Sequence, residues 1–148
     1  MKKVICAIGI IVLIYLVYLL IPDYVLRGYT DSEEYYDKNG FQDYTDFCIY
    51  RYDSAEKFIY SRLYNKVSEN DVENIRSYFD NFKGWMEAEN RLDEYSFDSA
   101  SVSAGDYYHI ETKEGEPIGQ GKYSKFDNYS IYFFDVESKT LYYIHTNI

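Results

Sequence analysis

The sequence predicts an α+β protein with one transmembrane helix near its N-terminus, followed by an amphipathic helix packed on a 4-5-stranded antiparallel sheet. Three observations carry this prediction. Residues 4–21 are uniformly apolar, residues 72–86 repeat apolar side chains at helical spacing, and the chain from Ser96 onward alternates with the period of a strand. The residues beyond the apolar run suffice for one compact domain and not for two.

The first element is an apolar run from Val4 to Ile21 that contains no charge and no proline. As a helix it would be about 27 Å long, close to the hydrocarbon thickness of a bilayer. Pro22 ends the run at a polar boundary. We therefore assign residues 4–22 to a transmembrane signal-anchor helix that contacts the lipid bilayer through residues 4–21.

The flanks of this run predict its orientation. Lys2 and Lys3 precede it directly, and positive flanks remain cytoplasmic, so residues 1–3 are placed inside and the C-terminal part outside the cell membrane. The alternative is a signal peptide that is cleaved to release a secreted domain. The end of the run lacks the small residues that such a cleavage site needs, which favours the single-pass anchor.

Charge is distributed unevenly along the chain. All 25 acidic residues lie beyond the predicted anchor, whereas the whole chain has 15 basic residues. Such a field repels nucleic acid and anionic lipid headgroups, so we expect no nucleic-acid partner. The domain is expected either to stand away from its own membrane or to bind a basic protein partner, and the alternative is that its charge serves solubility alone.

The polar, acidic segment 23–43 is interpreted as a tether, and the extracytoplasmic α+β domain is assigned to residues 44–148. Residues 46–52 are rich in aromatic and β-branched side chains, which predicts a strand. The next stretch, 57–64, fits either a hairpin partner strand or a short helix. The helical or irregular interpretation is favoured.

The clearest element is an amphipathic helix that begins near Ser68. Ser68 and Asp71 have the spacing of a capping box, with Asp in the place of the usual Glu. Gly84 offers a C-terminal cap, and the alternative is a helix that continues to about Asn90. Its single apolar stripe requires one covering surface. That stripe consists of Val72, Ile75, Phe79, Phe82 and Met86.

Beyond the helix the pattern has period two, which is typical of half-buried strands. A four-residue loop, 137–140, connects the last two strands as a hairpin. This order of one helix followed by an antiparallel meander resembles the element order of cystatin-like folds, which implies a helix on a curved sheet. The predicted strands are 99–104, 107–112, 120–126, 129–136 and 141–146.

The final hairpin carries the candidate binding surface. With a four-residue loop, Tyr132 would face His145 and Phe134 would face Tyr143. Both faces of this hairpin are apolar, although an antiparallel sheet with one solvated face should be polar there, and a helix with one stripe covers only one face. We take Tyr132, Phe134, Tyr143 and His145 as candidate partner-binding residues. The alternative is that the chain itself covers them.

No catalytic, cofactor-binding or metal-binding residue is assigned. The sequence has no nucleophile elbow, and Cys48 with His109 or His145 makes only a formal thiol–imidazole pair. His109, Glu111 and His145 lack the spacing of a zinc site. Cys48 has no second cysteine outside the anchor, so no disulfide forms within the domain, and its apolar neighbours predict a buried side chain.

These observations predict a non-enzymatic protein-binding module displayed outside the membrane on a short stalk. Its layout is similar to that of toxin-neutralising immunity proteins, which are small, acidic and anchored where the toxin acts outside the membrane. That resemblance implies a basic toxin as the partner. The alternatives are an accessory or structural subunit of a cell-envelope complex and, third, an envelope hydrolase, for which no motif is present.

Overall fold

The computed structural model describes residues 26, 28–36 and 44–147. The predicted anchor, 4–22, lies outside this part of the chain, as do the predicted cytoplasmic residues 1–3. No helix in the described part is long and apolar enough to cross a membrane. The elements in chain order are β1 (Asp31–Tyr36), β2 (Tyr44–Arg51), α1 (Glu56–Ile59), β3 (Asn65–Lys66), α2 (Val72–Ala88), β4 (Tyr107–Thr112), β5 (Pro117–Ile118), β6 (Gly121–Lys122), β7 (Asn128–Asp135) and β8 (Thr140–Asn147).

Six of these strands form one antiparallel sheet in the order β1-β2-β8-β7-β4-β3. The predicted α+β class is confirmed, but the sheet has six strands because β1 and the short β3 extend its two edges. The segment 23–43, interpreted as a tether, contains β1, so residues 31–36 belong to the sheet. Arg51 of β2 holds this edge strand, since its guanidinium pairs with Asp31 at 2.8 Å and also with Glu33.

The amphipathic helix forms as predicted but ends later than Gly84. The Asp71 carboxylate accepts hydrogen bonds from the Ser68 backbone N–H (2.9 Å) and hydroxyl (2.6 Å) in the turn before α2. At the other end Asn90 adopts a φ of 56°, and the Arg91 N–H donates to the Met86 carbonyl at 2.8 Å. This is the pattern of a Schellman cap, which Asn tolerates, so the alternative end near Asn90 is confirmed.

Helix α2 covers one face of the sheet through its apolar stripe. The ring of Phe79 lies 6.0 Å from that of Phe133 in β7, and Phe82 lies 6.4 Å from Phe47 in β2. The hydroxyl of Tyr129, also in β7, donates to the Tyr78 carbonyl at 3.1 Å. The core on this face is the larger of the two hydrophobic cores in the described part of the chain.

The second core lies on the opposite face, under α1. Phe58 is fully buried there and stacks on Phe134 at 3.7 Å between ring centroids. The rings of Tyr52 and Tyr64 meet Phe58 edge-on at 4.9 Å and 5.1 Å. The favoured helical or irregular interpretation of 57–64 is therefore confirmed, since the helix ends at Ile59 and residues 60–64 form no helix or strand. This segment covers part of the second sheet face.

Two predicted strands are wrong. In the segment 99–104, residues Ser99–Ser101 form a 3-10 turn. The Asp98 carboxylate accepts a hydrogen bond from the Ala100 N–H. The Arg76 side chain donates hydrogen bonds to three backbone carbonyl oxygens of this segment, those of Ser99, Ala100 and Val102. Residues 120–126 hold only β6, which pairs with β5 in a separate two-stranded sheet. The small alternating side chains at 99–104 therefore reflect a loop fixed to α2.

The final hairpin is confirmed, with a register two residues from the predicted one. Tyr132 faces Tyr143, and Ser130 faces His145. The turn occupies 136–139 and ends at Lys139 with a φ of 54°. A shift of two residues preserves the side of the sheet to which each side chain belongs, so the predicted faces are unchanged.

Candidate functional site

The four candidate residues share one sheet face but differ in exposure. Phe134 is fully buried beneath Phe58, and Tyr132 retains only 7% of its accessible surface. Tyr143 and His145 are half-buried. The chain itself therefore covers the Phe134 end of this face, and a partner has access to it only towards His145.

Strand pairing arranges the part of this face beyond Phe134 into two transverse rows of side chains. Each row takes one residue from each of five strands, β1, β2, β8, β7 and β4. The first, which we call the polar row, is Tyr36, Asp46, His145, Ser130 and Glu111. The second, the central row, is Glu34, Cys48, Tyr143, Tyr132 and His109.

A cleft of about 300 Å³ opens at the polar row, around His145. It lies at the ends of the strands farthest from α1, where β2 begins and β8 ends. Tyr44, 38% exposed, contributes its ring, which packs 4.9 Å from that of His145. The lining consists of Tyr44, Glu111, Thr112, Lys113, Asn128, Ser130, His145 and Asn147.

His145 is held by one hydrogen bond. Its Nδ1 lies 2.7 Å from the Ser130 hydroxyl across the β7–β8 pair. Its other ring nitrogen, Nε2, is buried and has no hydrogen-bond partner in the part of the chain that the structure describes. Burial lowers the pKa of His145 below its ordinary value, so the ring is neutral at neutral pH.

The geometry of the Ser130–His145 pair does not favour nucleophilic catalysis. Such a pair needs a third group to orient the imidazole from its other nitrogen, and Nε2 of His145 has none in the described ranges. The nearby Glu111 carboxylate instead contacts Nε2 of His109 at 3.2 Å. Ser130 is also 92% buried, which leaves little access for a substrate carbonyl.

Cys48 lies in the central row, next to Tyr143, and is fully buried. Burial raises the pKa of its thiol to about 11, the opposite of what an activated thiolate requires. Within the described residues, no three histidine, cysteine or carboxylate side chains gather as a metal ion would need. The arrangement suits recognition by aromatic rings, hydroxyls and carboxylates.

Sequence reasoning missed Tyr36, Tyr44 and Asp46 as members of this surface. Tyr44 and Asp46 alternate with Cys48 along β2, so their common face was detectable once the strand was extended by two residues. Tyr36 was assigned to the tether. The pairing of β2 with β8, which brings these residues beside His145, joins segments far apart in the chain and has no local signal.

The comparisons with protein families, with characterised proteins and with solved structures find no significant match to this chain.

Proposed function

We propose that this chain is a membrane-anchored, extracytoplasmic module that binds a basic protein through the cleft around His145. One observation carries the proposal: the cleft brings the rings of Tyr44 and His145 together with the Glu111 carboxylate at the end of the sheet opposite α1. The predicted anchor, 4–22, holds the module in the membrane. In this proposal the module has an architecture that resembles cystatin-like folds in element order, and its function does not depend on that resemblance.

The position of the cleft supports display away from the membrane. The chain reaches the domain from its N-terminal side at Leu26, whose carbonyl oxygen accepts a hydrogen bond from the Tyr52 hydroxyl at 3.1 Å. Tyr52 directly follows β2, whereas Tyr44 begins it. An eight-residue strand spans about 23 Å at about 3.3 Å per residue. The anchor side and the cleft are therefore at opposite ends of the sheet.

Charge supports a basic partner. The chain carries 25 acidic and 15 basic residues. Asp46 and Glu111 lie in the polar row that borders the cleft, whose lining also includes Lys113. Opposite charge accelerates encounter and loses its effect as salt screens it. A toxin-neutralising immunity protein is the concrete version of this function, with a basic toxin as the partner.

Tyrosine and histidine give this surface its chemistry. The Tyr44 ring offers apolar area, a hydroxyl and an electron-rich face at a low cost in side-chain entropy. Arginine or lysine of a basic partner can stack on such a ring while its charge meets a neighbouring carboxylate. The neutral His145 ring adds a polar group without repelling that cation.

Site-specific photo-crosslinking in native membranes tests the proposal. A photoreactive residue at Tyr44, 38% exposed, is compared with the same residue at Leu92, 39% exposed and outside the cleft. We expect a protein adduct at position 44 and none at 92, with a basic partner identified by mass spectrometry. Its association with the purified full chain should slow as salt rises. Equal adducts at both positions, or salt-independent association, would contradict the proposal.

Replacing residues 4–22 with an unrelated transmembrane helix separates this function from an accessory subunit of an envelope complex. A binding module needs the anchor only as a tether, so the adduct at Tyr44 should persist in the chimera. Loss of the adduct with the chimera still in the membrane would favour the accessory subunit, whose anchor makes specific contacts of its own.

A further inference from the structure

We propose that α1 and the residues that follow it, 56–66 in all, rest on the lipid surface from which the anchor emerges. The occupant of this surface is a bilayer containing anionic lipid. The inference depends on the anchor in the proposed function and adds an orientation for the domain. It reverses the expectation, drawn from net acidity alone, that the whole domain stands away from its membrane.

The path of the chain brings this end of the domain close to the bilayer. Leu26 packs on the second core beside Tyr52, whose ring in turn contacts Phe58 of α1 at 4.9 Å. The predicted anchor ends at 22, only four residues earlier. At no more than about 3.6 Å per residue, this connection reaches at most about 14 Å from the hydrocarbon boundary. The headgroup layer occupies much of that distance.

The exposed side chains at the end of α1 are of the types that membrane interfaces accommodate. While Phe58 is fully buried, its neighbours Ile59 and Tyr60 are 45% and 81% exposed. An amphipathic aromatic ring beside an aliphatic side chain is the pair that the headgroup region accommodates. Tyr60 is so exposed that packing within the described domain does not account for it.

Charge at this segment differs in sign from that of the chain. Residues 56–66 contain three basic residues and one acidic residue, Glu56, although the chain has 25 acidic residues. Arg62 and Lys66 are exposed, and Lys57 lies over the Tyr52 ring at 5.2 Å. Asp53 precedes the segment. Exposed cations next to a bilayer are attracted to anionic headgroups.

Weak contacts suffice for such docking because the anchor keeps the segment at the surface. The connection of four residues between the predicted anchor and Leu26 makes surface binding an intramolecular step with a high effective concentration. The cleft around His145, at the far end of the strands, then points away from the lipid. Docking of α1 and partner binding consequently use opposite ends of the same sheet.

Tryptophan quenching by brominated lipid tests the contact in the full chain. Trp85 is the only tryptophan and is replaced by Phe. Ile59→Trp reports on α1, and Ile118→Trp is a matched control, because Ile59 and Ile118 are 45% and 44% exposed and Ile118 follows the far end of β4. Tyr15→Trp reports on the anchor. Each protein is reconstituted into vesicles of phosphatidylglycerol and phosphatidylcholine brominated near the headgroup end of its chains.

We expect strong quenching at 15, clear quenching at 59 and none at 118. Adding Arg62→Glu and Lys66→Glu should reduce the quenching at 59 and leave that at 15 unchanged. Quenching at 15 without quenching at 59, or equal quenching at 59 and 118, overturns the docking and leaves the anchor intact. Absence of quenching at both 15 and 59 overturns the anchor together with the docking.

Discussion

Replacing Phe58 with Ala should remove the cover of the second core. The ring is fully buried, stacks on Phe134 at 3.7 Å and meets Tyr52 and Tyr64 edge-on. Deleting a buried phenylalanine ring costs about 4 kcal/mol, which includes the cavity left behind. At an unfolding entropy of about 2.1 cal/mol/K per residue, a domain of about 120 residues would lose about 16 °C in Tm.

The assay is thermal unfolding of the full chain in detergent, followed by the near-ultraviolet circular dichroism of the aromatic side chains. Tyr60→Ala, two residues away and 81% exposed in the parent, is the control and should change stability by less than about 0.5 kcal/mol. A double-mutant cycle with Phe134→Ala should give a coupling of about 1 kcal/mol for the stacked pair. The reasoning is refuted if Phe58→Ala costs less than about 1 kcal/mol or if Tyr60→Ala costs as much.

Three further outcomes are expected. Gly84→Ala should stabilise α2 by about 0.5–1 kcal/mol in urea denaturation, because a Cβ there meets nothing within 4 Å and glycine weakens a helix interior. Asp106→Ala should cost about 3 kcal/mol in the same assay, since its buried carboxylate accepts hydrogen bonds from the Val136 N–H and from both donors of Ser103. Burial lowers the pKa of His145, so the unfolded chain takes up its proton first as pH falls. Stability should therefore decline below about pH 6.5, and a His145→Gln variant should show a smaller decline between about pH 8 and 5.

The local sequence pattern was sufficient to predict elements whose hydrogen bonds form within the element or with the strand next to it in the chain. The stripe from Ile75 to Met86 predicts α2, and the final hairpin follows from two alternating runs around a short turn. Pattern failed at 99–104, where alternation of small residues is equally compatible with a loop. There the Arg76 guanidinium and the Asp98 carboxylate take the backbone groups that a strand would have paired.

The candidate surface was predictable only in part. The correct sheet face followed from period-two alternation, which a register error of two residues leaves intact. The portion of that face that is covered depends on the packing of Phe58 against Phe134, a contact between segments far apart in the chain. The same holds for Tyr44, which reaches His145 only because β2 pairs with β8.

The opposite placement of Leu26 and the cleft has a mechanical consequence. A partner pulled away from the membrane would load the domain along its strands, with the N-terminal end of β1 held and the far ends of β2 and β8 drawn outward. Six residue pairs join β1 to β2, and this direction of force makes the two strands slide past each other. Their hydrogen bonds then resist together, whereas a force applied across the ladder would break them one after another. In the proposed arrangement the domain would transmit tension between a bound protein and the bilayer.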